Sequence, residues 1–579
     1  MTAKTYLFGG AAALALILAG CDVVRAPAND TQADSDTAST QSADVETPAF
    51  DEAALAENPL LQDWDTPYGA PPFAEIADED YLPAIDFAIA ELQGEIEAIA
   101  NNEEAPTFEN TIVALEKTGL MLGRVNAVFF ALTGSNTTDR LDEIDTEISP
   151  LLTAHYDSIA LDPGLFARVK AVYDNRAAMT MEPEDAVLLE RTYADMVQAG
   201  ALLDEDQRER VKEINGQLST LTTEFSQKVR EATVDGAVIV DTREELAGLS
   251  DSDIDAAATL ATEKGMEGKF ALALQNTTQQ PLLPALENRE VRERLFKASA
   301  YRADQGGEND TRALIAEIAT LRAEKAAIFG KPDWATYTMY DRMAKEPATA
   351  LGFMQQMVPA LANTQRSDAR LLNDRIAADG LDFEVEPWDW YRFSEKVKAE
   401  QFAFDENEVM QYFELERMLE DGVFYMAEKL YGLTFEKRDD IPVYHPDVTV
   451  YTVFDADGSE LGLFYFDPFQ RPSKRGGAWM SNFVDQSYLW DTKPVIYNVL
   501  NIPKAPEGEV QLVSFDWVNT AFHEFGHAVH GFFADQKYES LSGTATARDF
   551  VEYPSQVHEM WATWPSVLSN YAKHYETGE

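Results

Sequence analysis

Cysteine is almost missing from this chain: its 579 residues contain a single one, Cys21. One thiol excludes an internal disulfide framework and leaves the folded part without a thiolate metal site. Histidine is scarce too, with seven residues, at positions 155, 445, 523, 527, 530, 558 and 574. Basic residues are outnumbered, 46 against 101 acidic, for a formal net charge of −55. Such a balance argues against nucleic acid and anionic membrane surfaces as partners, and reads most simply as a solubilising acidic surface. The apolar run Tyr6–Ala19 is too short for an ordinary transmembrane helix. No repeat of fixed period stands out. Hydrophobic residues make up 45% and aromatics 11%, which is ordinary for a globular protein with a large core.

The N-terminus reads as a secretory signal. Lys4 is followed by the apolar run and then by small residues before Cys21. Leu18-Ala19-Gly20-Cys21 resembles the bacterial lipobox, in which the cysteine is lipidated and becomes the new N-terminus. Residues 1–20 are therefore expected to be removed. Asp22 resembles the signal that retains such lipoproteins in the inner membrane, on its periplasmic side. Residues 21–57 are rich in Ala, Asp, Ser, Thr and Gln and read as a disordered tether. A flexible chain of that length spans roughly 30–35 Å.

From Asn58 to the end the chain reads as one mostly helical domain. In Tyr81–Ala100, Ile85, Ala88, Ile89, Leu92, Ile96 and Ile99 recur at steps of three and four, the stripe of an amphipathic helix. Similar stripes run through Leu202–Val229, Arg312–Ile328 and Asn407–Leu430. The texture changes near Asp447. Val448–Phe454 is β-branched and aromatic, Asp455–Gly458 is a turn, and Glu460–Phe466 reads as the return strand. The turn lacks the full ligand set of a calcium loop. Val495–Leu500 and Val510–Phe515 are two further expected strands, and a helix is expected to start near Asp516.

That helix carries His523-Glu524-Phe525-Gly526-His527, an HExxH motif. Positions i and i+4 share a helix face, so both imidazoles can reach one metal ion with Glu524 beside them. A catalytic zinc takes three protein ligands and keeps a fourth position for water. Glu552, 29 residues after His523, is the candidate third ligand. The residue three beyond it is Ser555, so the ExxD form of thermolysin-like enzymes is not matched. Asp549 and Glu559 flank Glu552 and are candidates to orient a zinc-bound imidazole or to form ordinary helix salt bridges. His530 and His558 read as structural, His445 as lining a cleft or capping the hairpin, and Gly543 as a close backbone approach or a mobile loop.

Phe522–His530, Ser540–Thr544 and Asp549–Gln556 together resemble the thimet oligopeptidase/neurolysin family of zinc peptidases. Asn58-Pro59-Leu60, Trp64–Phe73 and Pro106–Thr111 look most like its bacterial peptidyl-dipeptidase (dipeptidyl carboxypeptidase) branch. Leu430–Leu433, Val443–His445, Tyr465–Asp467 and Lys474–Met480 continue the likeness. The resemblance implies a mainly α, two-lobed, neurolysin-like zincin, with a small β-sheet beside the HExxH helix and a deep cleft. It implies one zinc ion per chain on His523, His527 and Glu552, with Glu524 as general base. It further implies action on short unstructured peptides with release of C-terminal dipeptides; separately, the protein is expected to be a monomer. An endo-acting oligopeptidase of the same family is the alternative, and a non-catalytic peptide-binding lipoprotein is the rival of another class. Family members continue well past the point matching Glu579, through a loop that supplies oxyanion and substrate contacts. The domain is accordingly expected to be C-terminally incomplete, and Asn570–Tyr575 reads as helix still in progress.

Overall fold

The computed structural model of the chain describes residues 55, 57–274, 280, 282–402 and 406–579. The signal, Cys21, Asp22 and nearly all of the expected tether lie outside the described residues. No helix among the described residues is long and apolar enough to cross a membrane.

The first half is a helical assembly organised by the expected stripes. Helix α1 spans Tyr81–Ala100 and buries Tyr81, Ala84, Ile85, Ala88, Leu92, Ile96 and Ile99. Helices α2 (Leu120–Ser135), α3 (Asp139–Ala160), α4 (Pro163–Asn175) and α5 (Pro183–Ala199) share that core. Asp204 caps the long helix α6 (Glu205–Asp235), its carboxylate accepting from the Gln207 amide. Polar contacts seat α6 along α3: Asn215 Nδ2 lies 2.8 Å from Asp157, and Gln227 Nε2 lies 3.0 Å from the Asp142 carbonyl. A two-stranded sheet, β1 (Val238–Val240) with β2 (Phe270–Leu272), follows. Beyond it come α7 (Arg312–Ile328) and the 32-residue α8 (Pro347–Ala378).

The second sheet comprises β3 (Thr434–Arg438), β4 (Thr449–Phe454), β5 (Glu460–Phe469), β6 (Trp479–Val484) and β7 (Val495–Ile502), in the order β3-β4-β5-β7-β6. Only the central β5–β7 pair is parallel. The strand period of two sends alternate residues to opposite layers. Leu463, Tyr465, Val495, Tyr497 and Val499 meet Ala131 of α2 on one face. Phe464, Phe466, Ile496 and Leu500 meet the HExxH helix, α9 (Phe515–Phe532), on the other. Both faces being covered explains why β5 and β7 read as near-continuous apolar runs. The Asp-rich turn closes the β4–β5 hairpin: Gly458 is left-handed at φ +84°, and Asp457 accepts the Ser459 amide at 2.8 Å.

A buried ion cluster joins this sheet to α2. Asp467 is fully buried at the end of β5 and accepts from Lys474 Nζ at 2.8 Å, Arg471 Nη2 at 2.6 Å and Tyr444 Oη at 2.8 Å. Arg471 Nε donates to the Ser135 carbonyl at 2.8 Å, where α2 ends. Burial pushes the Lys474 ammonium down to about 8.

Three expectations need correction. Val510–Phe515 is not a strand: Leu512 forms one isolated bridge with Glu414, and Ser514 is already the N-cap of α9. The stripe Asn407–Leu430 is broken after Met410, and its middle, Met418–Phe424, is a π-helix. Finally, the last helix, α11, spans only Pro565–Tyr571. Its expected continuation to Tyr575 is replaced by tertiary bonds, from the Lys573 amide to Tyr412 O at 3.2 Å and from the Tyr575 amide to Gln411 O at 2.9 Å.

Candidate metal centre

Helix α9 is amphipathic in an unusual sense, because its polar face is also largely enclosed. Val518, Ala521, Phe522, Phe525, Ala528, Val529 and Phe532 enter the core. Glu524 and His527 are only 5% and 8% exposed. Helix α10 (Glu552–Ala562) lies against α9, and a glycine makes the approach possible. A Cβ on Gly526 would sit 2.7 Å from Ser555 Cα and 3.0 Å from the His558 ring. On another side of α9, a Cβ on Gly531 would sit 2.5 Å from Ile496 Cδ1 of β7. Gly543, left-handed at φ +52°, has its Cβ position 3.4 Å from Gly531 Cα, so this segment runs close to the same helix.

The close helix pair brings three donors together. Glu552 Oε2 lies 3.2 Å from His523 Nε2 and 3.1 Å from His527 Nε2. One ligand atom from each of the three residues falls within 4.8 Å of the others. Two imidazole nitrogens and a carboxylate oxygen make a donor set suited to zinc. Glu559 Oε1 is 2.7 Å from His523 Nδ1, so it fixes that ring from behind. Asp549, the other flanking candidate, does not reach an imidazole. Its two oxygens accept the Met343 and Ala344 amides at 2.9 Å each. The reason is local: α10 begins at Glu552, so Glu559 keeps helical register with it, whereas Asp549 lies before the helix.

Glu524 is the anomalous group. Its Oε2 is buried with no hydrogen-bond partner among the described residues. Burial first, and then the charge of Glu552, push its carboxyl up to about 8. An orphaned carboxylate oxygen beside three converging donors is suited to hold a water or exchange a proton there. Burial pushes the His527 imidazole below its usual range, which favours the neutral, ligating form. Ser555, which the motif comparison marks only as a mismatch, donates from Oγ to Glu552 Oε2 at 3.1 Å. Its spacing of three from Glu552 was the available signal.

Two further histidines are tied to the scaffold. His558 is buried between the Pro554 carbonyl at 2.7 Å and the Tyr431 hydroxyl at 3.0 Å. His445 Nδ1 accepts the Asp447 amide at 3.2 Å, ahead of β4. His530 Nδ1 is buried without a partner among the described residues, and burial lowers its pKa.

The segment between α9 and α10 is held by α5. Glu184 Oε1 accepts the amides of Lys537 at 2.7 Å and Tyr538 at 3.1 Å. Arg191 Nη1 donates to the carbonyls of Ser540 at 3.0 Å and Ala545 at 3.1 Å. Glu539 lies in the same segment, its carboxyl pushed up to about 7 by burial and then by the charges of Asp485 and Glu116.

A helix presenting HExxH, a carboxylate arriving from the next helix and a buried glutamate beside them define a metallopeptidase centre. Comparison with known proteins agrees. The sequence profile of peptidase family M3 matches residues 282–579, and the chain belongs to that family. It is 44% identical over 525 residues to a dipeptidyl carboxypeptidase of Salmonella typhimurium, covering 91% of this chain and 77% of that protein. The Escherichia coli dipeptidyl carboxypeptidase is also 44% identical, over 521 residues, covering 90% and 76%. Oligopeptidase A of Escherichia coli is 30% identical over 531 residues, covering 90% and 77%.

Proposed function

We propose that this metallopeptidase is a zinc-dependent peptidyl-dipeptidase that removes dipeptides from the free C-termini of short, unstructured peptides. His523, His527 and Glu552 hold the ion, with Glu559 orienting His523. When bound, zinc supplies Lewis acidity, polarising the scissile carbonyl and making water acidic near neutral pH. The positive charge of a bound zinc would offset that of Glu552 and favour the ionised Glu524, which accepts the proton of the attacking water and passes it to the leaving amine. The observation that carries this reading is the buried, unpartnered Glu524 carboxylate oxygen beside the three donors. The greater likeness to dipeptidyl carboxypeptidases than to oligopeptidase A supports dipeptide release over internal cleavage. The Leu18–Asp22 run supports a lipid anchor on the periplasmic side of the inner membrane.

The test is direct. Glu524→Gln lowers kcat by about 10²–10⁴-fold while zinc content stays at one per chain, and Glu552→Ala loses the zinc. Normal hydrolysis by Glu524→Gln overturns the role of the base. Efficient cleavage of a peptide with an amidated C-terminus replaces the dipeptidase by the endo-acting reading. Absence of turnover by the zinc-loaded chain replaces both by a peptide-binding role.

A further inference from the structure

Asp549 was a candidate partner for a metal-bound imidazole, and the structure gives it another task. It lies three residues before Glu552, with the Phe550 amide already turned onto the Ala547 carbonyl at 2.8 Å. Both of its carboxylate oxygens are used, one on the Met343 amide and one on the Ala344 amide, each at 2.9 Å. Those two amides lie within a turn closed by the Lys345 amide on the Arg342 carbonyl at 3.2 Å. Lys345 is held left-handed at φ +62°. A non-glycine residue there is strained and persists only where its surroundings enforce it.

These contacts close on themselves. From the turn, Tyr340 Oη donates to Asp195 Oδ1 on α5 at 2.9 Å. From α5, Glu184 and Arg191 hold the backbone of residues 537–545. That segment runs on to Asp549, which returns to the turn. Glu552 projects from the end of this closed circuit, and its helix has no side-chain N-cap of its own.

We propose that Asp549 is the positioning residue for the third metal ligand: by clamping the 342–345 turn, it sets where the first turn of α10 begins and therefore where Glu552 points. The proposal rests on the zinc reading of the site. Its consequence is that the carboxylate's placement depends on the 340–345 segment and on α5, neither of which contributes a donor.

The experiment measures zinc affinity by competition with a chromophoric chelator, and the visible spectrum of the cobalt-substituted protein, for the full chain and three variants. Asp549→Ala is expected to weaken zinc binding by about 10-fold, the lower end of what supporting groups around a metal contribute, and to shift the cobalt bands. Asp549→Asn keeps one acceptor oxygen and is expected to fall between Asp549→Ala and the unmodified chain. Tyr340→Phe breaks the circuit on its far side at an exposed residue, and is expected to weaken zinc by about twofold or more. A folded Asp549→Ala protein with unchanged zinc affinity and cobalt spectrum overturns the proposal. So does lowered thermal stability with an unchanged spectrum, which would make Asp549 a structural residue only. If Asp549→Ala does not fold, unchanged zinc binding by Tyr340→Phe overturns it. Failure of the unmodified chain to bind zinc fells the metal reading itself and this proposal with it, a result separable from loss confined to the variants.

Discussion

Replacing Glu539 by glutamine tests the electrostatics of the segment that delivers the third ligand. The carboxyl is pushed from 4.5 up to about 7, chiefly by burial and then by Asp485 and Glu116. Below about pH 4.5 it is protonated in the folded and unfolded chains alike, and contributes no difference. Between 4.5 and about 7 the unfolded chain releases its proton first, so stability falls as pH rises through that window. Above about 7 the folded chain carries a buried charge and the whole loss is present. A shift of that size corresponds to about 3.4 kcal/mol. Partial exposure reduces the expected effect to about 1–2 kcal/mol. Glutamine imitates the protonated acid, so Glu539→Gln is expected to be more stable than the unmodified chain at pH 8.5 by that amount, with the gain shrinking toward pH 5. Urea denaturation of both proteins across this range measures it. Metal loss on acidification affects both and drops out of the difference. A stability difference that does not vary with pH refutes the argument that Glu539 is held protonated.

Gly526→Ala is expected to cost about 1–3 kcal/mol, because its Cβ would meet Ser555 Cα at 2.7 Å; it should also lower zinc affinity, since the two ligand helices must separate. Gly216→Ala on α6 is the control: nothing lies within 4 Å of its Cβ position, so it should gain about 0.5–1 kcal/mol with zinc unchanged. Asp467→Ala strands the buried Lys474 and Arg471 cations and is expected to cost about 3–5 kcal/mol in urea denaturation.

Much of this was legible in the chain wherever a single period governs burial. The stripe at Tyr81–Ala100 and that at Arg312–Ile328 match α1 and α7 to the residue, because one face of each helix meets a core. The hairpin was readable from its β-branched run and its turn. Strands β3 and β6 escaped notice, being the two edges of the sheet with mixed burial and no clean alternation. Val510–Phe515 misled for the converse reason: it is apolar without a strand neighbour along its length. At the site, HExxH and Glu552 were readable as spacing and as a family likeness. The destinations of Asp549 and Glu559 were not, since they depend on which residue starts α10, and a start can move by a residue or two without changing any pattern.

The three donors are unequally supported. The two imidazoles sit in the middle of α9, whose other faces are locked into the sheet core. Glu552 occupies the first position of α10, and its side chain is 54% exposed. Opening at a helix end requires far less than global unfolding. Backbone amides around 523–527 should therefore exchange with solvent only when the whole domain opens, while those of Glu552 and Tyr553 exchange through local fraying. On the proposed zinc reading, the rate at which a bound ion would escape follows the fraying rate, not the melting temperature. A substitution that stiffens the core would raise thermal resistance and leave metal retention as it was.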